Sequence, residues 1–132
     1  GIAGALLLYP NGSIQHAGID FEGGEPRHPL AGQWPGEIAD DLLSAPRACL
    51  AVTGACLAIR RSNWDALGGL EPLFARNYND VDLCLRAAEA GLKTMITPHA
   101  CLIHNESATR GTEWDPEIAA EGALFRARWG RT

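Results

Sequence analysis

The feature that most constrains the fold is a short amphipathic segment at residues 79–86, with the sequence NDVDLCLR. Apolar residues occupy the i, i+3, i+4 and i+7 positions of one helical face, at Val81, Cys84, Leu85 and Ala88. This spacing predicts a helix with one buried face and a first turn that faces a cleft. A glycine at position 91 is a typical end for such a helix.

The first turn of this predicted helix carries two carboxylates, Asp80 and Asp82. Because successive helical residues are rotated by about 100°, the two side chains point about 200° apart and need separate roles. Asp82 lies four residues before Arg86, a spacing that favours an ion pair. Asp80 is then the freer group, and the positive helix end favours the charged form that a general base needs. Helix capping is the alternative interpretation for Asp80, because Asp commonly caps first turns.

Length and composition limit the class of protein. A chain of 132 residues has room for one domain with a real core, which we expect to span residues 1–132. Apolar residues make up 46% of the chain, yet no apolar run approaches the roughly 18 residues of a membrane span. A net charge of -5 with scattered basic residues argues against nucleic-acid binding.

The cysteines and histidines form neither a disulfide pattern nor a zinc-ligand pattern. There is no CxxC pair, and the four histidines complete no zinc spacing. We predict buried, reduced thiols, as in a cytoplasmic protein, at Cys49, Cys56, Cys84 and Cys101.

The first part of the chain is β-like, followed by an irregular excursion. An apolar run at residues 5–9, a turn at Pro10-Asn11-Gly12 and an alternating run at residues 13–19 predict a hairpin. Residues 22–48 are rich in Gly, Pro and polar residues, and we interpret them as a long loop with a helical turn near residues 37–43. Such loops are often lids or binding loops, and surface disorder is an equal alternative.

The rest of the chain alternates strands and helices. We predict strands at residues 49–60, 93–97 and 100–104, and helices that begin after Ser62 as N-cap and at Asp115-Pro116. A bend is expected at Thr53-Gly54, Gly68-Gly69 ends the short helix, and Pro98 separates the last two strands.

Four ordered blocks of the sequence carry a family pattern. They are VTGACLAIRR at residues 52–61, LGGLEPLF at 67–74, NDVDLCLR at 79–86 and HNESATRG at 104–111. Together they resemble the C-terminal half of a family 2 glycosyltransferase. The upstream run LLYPNGSIQHAG, residues 7–18, resembles the subgroup that acts in bacterial surface polysaccharide assembly. The resemblance covers nearly the whole chain.

The resemblance implies a fold and a reaction. Enzymes of this family have a GT-A fold, an α/β sandwich whose first half binds a nucleotide-sugar donor and whose second half binds the acceptor. We accordingly predict an α/β chain that forms the C-terminal half of this nucleotide-diphospho-sugar transferase-like fold, with a mixed sheet and flanking helices. The implied reaction is sugar transfer, with inversion, to a hydroxyl of a saccharide or lipid-linked acceptor.

The resemblance also implies roles for individual residues. Asp80 matches the base of the family's Glu-Asp motif, which deprotonates the acceptor hydroxyl, and Asn79 replaces the usual Glu. Thr53, Gly54 and Asn79 would lie on the acceptor side. His104 matches a histidine that joins the Mg²⁺ or Mn²⁺ on the nucleotide diphosphate in the full-length enzyme. Viewed without the resemblance, a lone histidine is more often structural.

A phosphate contact is the candidate role of Arg110, for which a solvated arginine is the alternative. The chain begins without Met, and apart from Asp80-Val81-Asp82 in the predicted helix it has neither a DxD motif, such as one that ends a strand, nor a Gly-rich nucleotide-binding pattern. We therefore expect a segment of a longer protein, without the nucleotide-binding half and inactive by itself. We also expect self-association through the face that such a cut exposes, and a location in the cytoplasm or at the inner face of the membrane.

A different class of function is the alternative. The chain would then be a non-catalytic saccharide-binding or protein-interaction module that keeps the same fold. Its stacking surfaces would come from the four tryptophans, Trp34, Trp64, Trp114 and Trp129, although a tryptophan is more often partly buried packing.

Overall fold

The computed structural model describes residues 1–38, 40–105 and 116–130. It is an α/β structure in which helices flank a mixed sheet, and this confirms the predicted fold class. The strands are β1 (Ile2–Leu8), β2 (Ile14–His16), β3 (Asp20–Glu22), β4 (Glu25–Arg27), β5 (Arg47–Ala48), β6 (Leu57–Ile59) and β7 (Thr94–Ile103). The α-helices are α1 (Asp40–Ser44), α2 (Arg61–Leu67), α3 (Asn79–Glu89) and α4 (Pro116–Trp129).

Strand β1 is the centre of the main sheet. β7 runs parallel along one edge of β1, from the pair Ile2 and Thr94 to the pair Leu8 and Ile103. The other edge is shared by β6 and β2, both antiparallel to β1. β5 adds to the far side of β7. The β1–β2 pairing confirms the predicted hairpin, whose turn places Gly12 at a φ of 92°, where glycine is favoured.

The prediction of one continuous strand at residues 49–60 is wrong. Regular pairing stops after β5, and Ala51 then forms only an isolated bridge to Ile19. A turn begins at Gly54, and pairing resumes only in β6. The small residues that suggested a strand instead allow the backbone to turn beside α3.

Two other boundaries differ from the predictions. The N-cap of α2 is Arg60, which makes no side-chain capping bond, so the expected cap at Ser62 is wrong. Pro98 does not divide two strands: β7 is one strand, in which Ala5 pairs with Thr97 and Leu6 with Cys101. Residues 98–100 therefore bulge, as expected where a proline cannot donate to the ladder.

The excursion at residues 22–48 is more regular than predicted. β3 and β4 form a hairpin around Gly23 and Gly24, both at positive φ. A 3-10 turn at Pro35–Glu37 and helix α1 follow, which confirms the helical turn expected near residues 37–43. Ile38 is buried in a small apolar cluster with Leu6, Ile14 and Ala17. The segment thus covers part of the sheet, so the alternative of surface disorder is wrong there.

Helices α3 and α4 cover the main core. The largest fully buried side chains there include Val52, Phe74, Leu83, Cys84 and Phe125. All four cysteines are free, and burial raises the pKa of the Cys84 thiol to about 11. The prediction of four buried thiols is wrong for Cys101, which is exposed near the end of β7, and only half right for Cys49 and Cys56. Among the described helices, none combines the length and hydrophobicity that a membrane span requires.

Candidate functional site

Asp80 lies in the first turn of α3, and the protein backbone holds its carboxylate in place. Oδ2 accepts the N–H of Gly54 over 2.8 Å, and Oδ1 accepts the N–H of Val81 over 2.8 Å. The N-cap of the helix is Tyr78, without a side-chain capping bond, so Asp80 is not the cap. The side chain is partly exposed, and each carboxylate oxygen keeps further acceptor capacity. The carboxylate is therefore fixed and still open to a ligand.

Close packing brings Gly54 to this position. A Cβ added at Gly54 would lie 3.4 Å from the Asp80 Cβ and 3.7 Å from its Oδ2. A second glycine, Gly4 in β1, is packed even more tightly, because a Cβ added there would lie only 2.5 Å from the Cβ of Val52. The absence of a side chain at Gly4 therefore lets Val52 pack directly against β1. Because Gly54 follows two residues later, this packing helps to place its N–H beside Asp80.

The residue before α3 has an unusual backbone conformation. Tyr78 has a φ of 67°, in the left-handed region that side chains rarely adopt, and it is the one such non-glycine residue among those described. Its ring stacks on Phe125 of α4, with ring centroids 4.8 Å apart. Helix α4 thus stabilises the strained turn that sets the direction of Asn79 and Asp80.

Asp82 has a structural environment that differs sharply from that of Asp80. Its side chain is 0% exposed, and Oδ2 accepts from Arg86 Nε over 2.8 Å, which confirms the predicted ion pair. Oδ1 accepts from Trp129 Nε1 over 2.8 Å and from Arg128 over 3.2 Å. Asp82 therefore ties α4 to α3. Sequence reasoning missed the α4 partners because they are more than forty residues away.

The structure brings three of the predicted acceptor-side residues together with Asp80. The Gly54 bond places the turn at Thr53 and Gly54 beside the first turn of α3, where Asn79 precedes Asp80. The N–H of Thr53 donates to Nε2 of His16 over 3.3 Å, which fixes the start of the turn. Their acceptor-binding role stays a prediction.

Among the described residues, His104 is bonded to the β1–β2 hairpin and not to the turn that holds Asp80. Its N–H donates to the Leu8 carbonyl over 2.9 Å, and its Nδ1 lies 2.8 Å from Oε1 of Gln15. In the described part of the chain, no hydrogen bond or ion pair joins His104 to Asp80. The link between them runs through β2, where Gln15 contacts His104 and the next residue, His16, contacts Thr53.

The described residues do not supply a complete ligand set for the expected cation. Within residues 1–38, 40–105 and 116–130, no group of three or more His, Cys, Asp or Glu side chains is arranged to hold a metal ion. His104 fits as a single ligand, because an imidazole bonded to an oxygen through Nδ1 can offer Nε2 to a metal. Further ligands would have to come from the diphosphate or from elsewhere in the protein.

Two predicted residues, Arg110 and Trp114, lie outside the described residues. Of the other tryptophans, Trp129 is buried against Asp82 and offers no stacking surface, while Trp64 is half-buried and Trp34 is 46% exposed. The alternative of an aromatic saccharide platform therefore depends mainly on Trp34 within the described residues.

His16 is a functional-site neighbour that sequence reasoning missed. It is 1% exposed, and its Nδ1 lies 3.2 Å from Nδ1 of His28. The pKa of His16 is lowered from 6.5 to about 3, mainly because burial disfavours the charged ring. The neighbouring charges of His28 and, to a smaller extent, Arg47 lower it further. Because Nε2 accepts from Thr53, the neutral ring carries its proton on Nδ1 and donates it to His28. The signal in the sequence was the polar pair Gln15 and His16, which follows Ile14 in the alternating run at residues 13–19.

An open depression of about 510 Å³ lies elsewhere on the molecule, at the start of β1. Its lining includes Ile2, Ala58, Arg60 and Lys93. None of the candidate site residues lines it, so it is not part of the site described above.

No protein-family model matches the chain. It is 42% identical, over 98% of its length, to an uncharacterised protein of Sinorhizobium fredii named y4gI. It is 36% identical, over 89% of its length, to the O-antigen biosynthesis protein RfbC of Myxococcus xanthus. The chain spans only 15% and 9% of these two proteins.

A third similarity involves a named enzyme. The chain is 30% identical, over 52% of its length, to N-acetylglucosaminyl-diphospho-decaprenol L-rhamnosyltransferase of Mycobacterium tuberculosis, and the match spans 22% of that enzyme. Together with the similarity to RfbC, this match supports a relationship to glycosyltransferases. The architecture, a mixed sheet with flanking helices, is consistent with part of a nucleotide-sugar transferase-like fold.

Proposed function

We propose that this chain is the acceptor-side portion of an inverting, GT-A type family 2 glycosyltransferase, with Asp80 as its general base. The observation that carries the proposal is the contrast between the two carboxylates of α3. Asp82 is buried and accepts hydrogen bonds from three side chains. Asp80 is partly exposed and, in the described part of the chain, accepts hydrogen bonds only from backbone N–H groups. Among the described residues, no Lys, Arg or His forms an ion pair with Asp80, so no basic side chain there neutralises its charge.

In the proposed reaction, an acceptor hydroxyl oxygen attacks the anomeric carbon of the donor sugar. The bond from that carbon to the diphosphate oxygen breaks, and the nucleoside diphosphate leaves with the electron pair. Asp80 takes the proton of the attacking hydroxyl, and attack from the face opposite the leaving group inverts the anomeric configuration. The bonds from Gly54 and Val81 use one lone pair on each carboxylate oxygen and fix the orientation of Asp80, so the base loses less freedom when the acceptor binds.

The acceptor would bind beside the turn at Thr53 and Gly54. A glycine at position 54 leaves space above the Asp80 carboxylate, since any side chain there would start 3.7 Å from Oδ2. Asn79 and Thr53 supply neutral hydrogen-bonding groups next to the base, which suits the hydroxyls of a saccharide. Neutral neighbours also leave the base without a competing charge.

The donor would be bound largely by other parts of the full-length protein. A divalent cation, Mg²⁺ or Mn²⁺, neutralises the leaving diphosphate when bound. On this chain, Nε2 of His104 is the proposed ligand, and Arg110 is the proposed phosphate contact. Because these two residues do not complete a donor site, we propose that the chain is inactive when separated from the rest of its protein.

The test of this function is product analysis with the full-length protein that contains the chain. Purified protein is incubated with nucleotide-sugar donors and a saccharide or lipid-linked acceptor, and the product is examined by proton NMR. We expect donor consumption and a product with the anomeric configuration opposite to that of the donor. A product with retained configuration would contradict the inverting mechanism. Tight oligosaccharide binding in calorimetry without any donor consumption would favour the binding-module alternative.

A further inference from the structure

We propose that Gln15 is a positioning residue for His104, whose amide fixes the tautomer of the imidazole so that Nε2 presents its lone pair. The significance of this lone pair for a cation rests on the function proposed above, whereas the tautomer itself does not. Gln15 lies in the run at residues 7–18 that resembles the polysaccharide-assembly subgroup, but the resemblance gives it no role and the site residues predicted from sequence do not include it.

The geometry ties the two residues together across the sheet. Gln15 lies in β2 and is 7% exposed, while His104 directly follows β7. Gln15 Oε1 lies 2.8 Å from Nδ1 of His104, and Gln15 Nε2 lies 3.5 Å from the His104 carbonyl oxygen. The N–H of His104 is meanwhile held by Leu8. Both the backbone and the ring of His104 are therefore bonded to the β1–β2 hairpin.

The hydrogen-bonding roles follow from what each atom can do. A carbonyl oxygen only accepts, so the amide nitrogen of Gln15 must face the His104 carbonyl. The amide oxygen then faces Nδ1, and because an amide oxygen also only accepts, Nδ1 must carry the proton. A neutral imidazole with its proton on Nδ1 has its lone pair on Nε2. The contact thus selects the nitrogen that is free to bind.

Two physical considerations favour a positioning role over simple packing. A buried amide is unfavourable unless its groups are paired, so an apolar side chain would serve better here if packing were the only requirement. Histidines that bind metals usually donate the other ring N–H to an oxygen, which fixes ring and tautomer. An amide provides that oxygen without adding negative charge near the phosphates of a donor.

The first experiment determines the tautomer of His104 directly and requires no assay of enzymatic activity. The 132-residue chain is labelled with ¹⁵N-histidine, and multiple-bond proton-nitrogen NMR spectra are recorded at a pH where the His104 ring is neutral. We expect Nδ1 of His104 to carry the proton in the unaltered chain. Gln15→Met, which removes the acceptor with little change in size, should shift the ring towards the Nε2–H form. Gln15→Glu keeps an acceptor oxygen and should restore the Nδ1–H form.

The exposed ring of His99 serves as an internal reference, and the backbone amide spectrum verifies that each variant is folded. An unchanged His104 tautomer in a folded Gln15→Met variant would overturn the proposal. So would a predominant Nε2–H form in the unaltered chain.

The second experiment measures Mn²⁺ binding to the full-length protein by electron paramagnetic resonance, with Mn²⁺ as the probe. Gln15→Met should raise the Kd for Mn²⁺ by about 10–100-fold, the usual effect of losing such a support, and Gln15→Glu should raise it less. An unchanged Kd in Gln15→Met would overturn the orienting role. If the unaltered protein binds no Mn²⁺ while the tautomer responds as expected, the metal role of His104 in the proposed function fails and the tautomer assignment stands.

Discussion

The backbone N–H of Gly54 donates a 2.8 Å hydrogen bond to Oδ2 of Asp80, and this contact joins a turn that follows β5 to the first turn of α3. The two residues are 26 positions apart, so the position of the carboxylate depends on tertiary packing rather than on the helix alone. Changes that displace the turn are therefore expected to affect the proposed base even when they lie far from it.

Gly4→Ala is expected to destabilise the protein and to disturb the Asp80 site. The new Cβ would lie 2.5 Å from the Val52 Cβ, so Val52 and the adjoining turn must move, at a cost of about 1–3 kcal/mol in the free energy of unfolding. Urea denaturation measures this loss, and the amide shift of Gly54 in NMR spectra reports on its bond to Asp80. Gly36→Ala is the control, because nothing lies within 4 Å of its added Cβ. Equal stability of the two variants would contradict the packing described for Gly4.

Asp82→Asn is expected to lower stability strongly because it removes a buried negative charge that two guanidinium groups contact. Arg86 would lose its buried carboxylate partner and Arg128 the nearer of its two, since Glu71 lies 3.8 Å from Arg128, in a site where Asp82 is 0% exposed. We expect a loss of about 3 kcal/mol, the lower end for breaking a buried ion pair, since Arg128 stays partly solvated. Denaturant titration gives the value.

The matched control for that variant is Asp65→Asn, which breaks the exposed i,i+4 pair with Arg61. Exposed pairs of this kind contribute at most about 1 kcal/mol. A loss for Asp82→Asn no larger than that of the control would contradict the structural role assigned to Asp82.

His16 is expected to make stability depend on pH in the acid range. Its pKa is lowered from 6.5 to about 3, so between these values the unfolded chain binds a proton that the folded chain does not. Stability therefore falls as pH is lowered through this window, by at most about 1.4 kcal/mol per pH unit from this group. His16→Gln, which keeps an acceptor for the Thr53 N–H, should flatten the dependence. The check is urea denaturation at several pH values, with His99→Gln as the exposed control, and an identical slope in His16→Gln would count against the prediction.

The local features of the fold were readable from the sequence, whereas the contacts that build the site were not. Apolar spacing predicts α3, and the turn at Gly12 predicts the first hairpin. The bond from Gly54 to Asp80, the α4 donors around Asp82 and the amide of Gln15 on His104 all join residues far apart in the chain. Composition also misled the interpretation of residues 22–48, because Gly and Pro occur in the turns of a small hairpin as readily as in loops.

Spacing alone predicted that the two carboxylates of α3 face different directions and that Asp82 is the one paired with Arg86. Residues two apart on a helix face different directions, and Arg86 four residues on identifies Asp82 as the paired one. Spacing does not predict which part of the protein contacts Asp80. That part is the backbone of Gly54, and only folding brings it there.

The most direct test of the account is kinetic analysis of Asp80→Asn in the full-length protein. Asn keeps one oxygen, which accepts from only one of the N–H groups of Gly54 and Val81, and it no longer takes a proton, so kcat for sugar transfer should fall by about 10²–10⁴-fold, the range for losing a general base. The lost backbone hydrogen bond should lower the free energy of unfolding by only about 1 kcal/mol, and the Kd for the nucleotide-sugar donor should stay unchanged. Transfer at close to the original kcat, or a loss of stability as large as that of Asp82→Asn, would contradict the claim that Asp80 is the base.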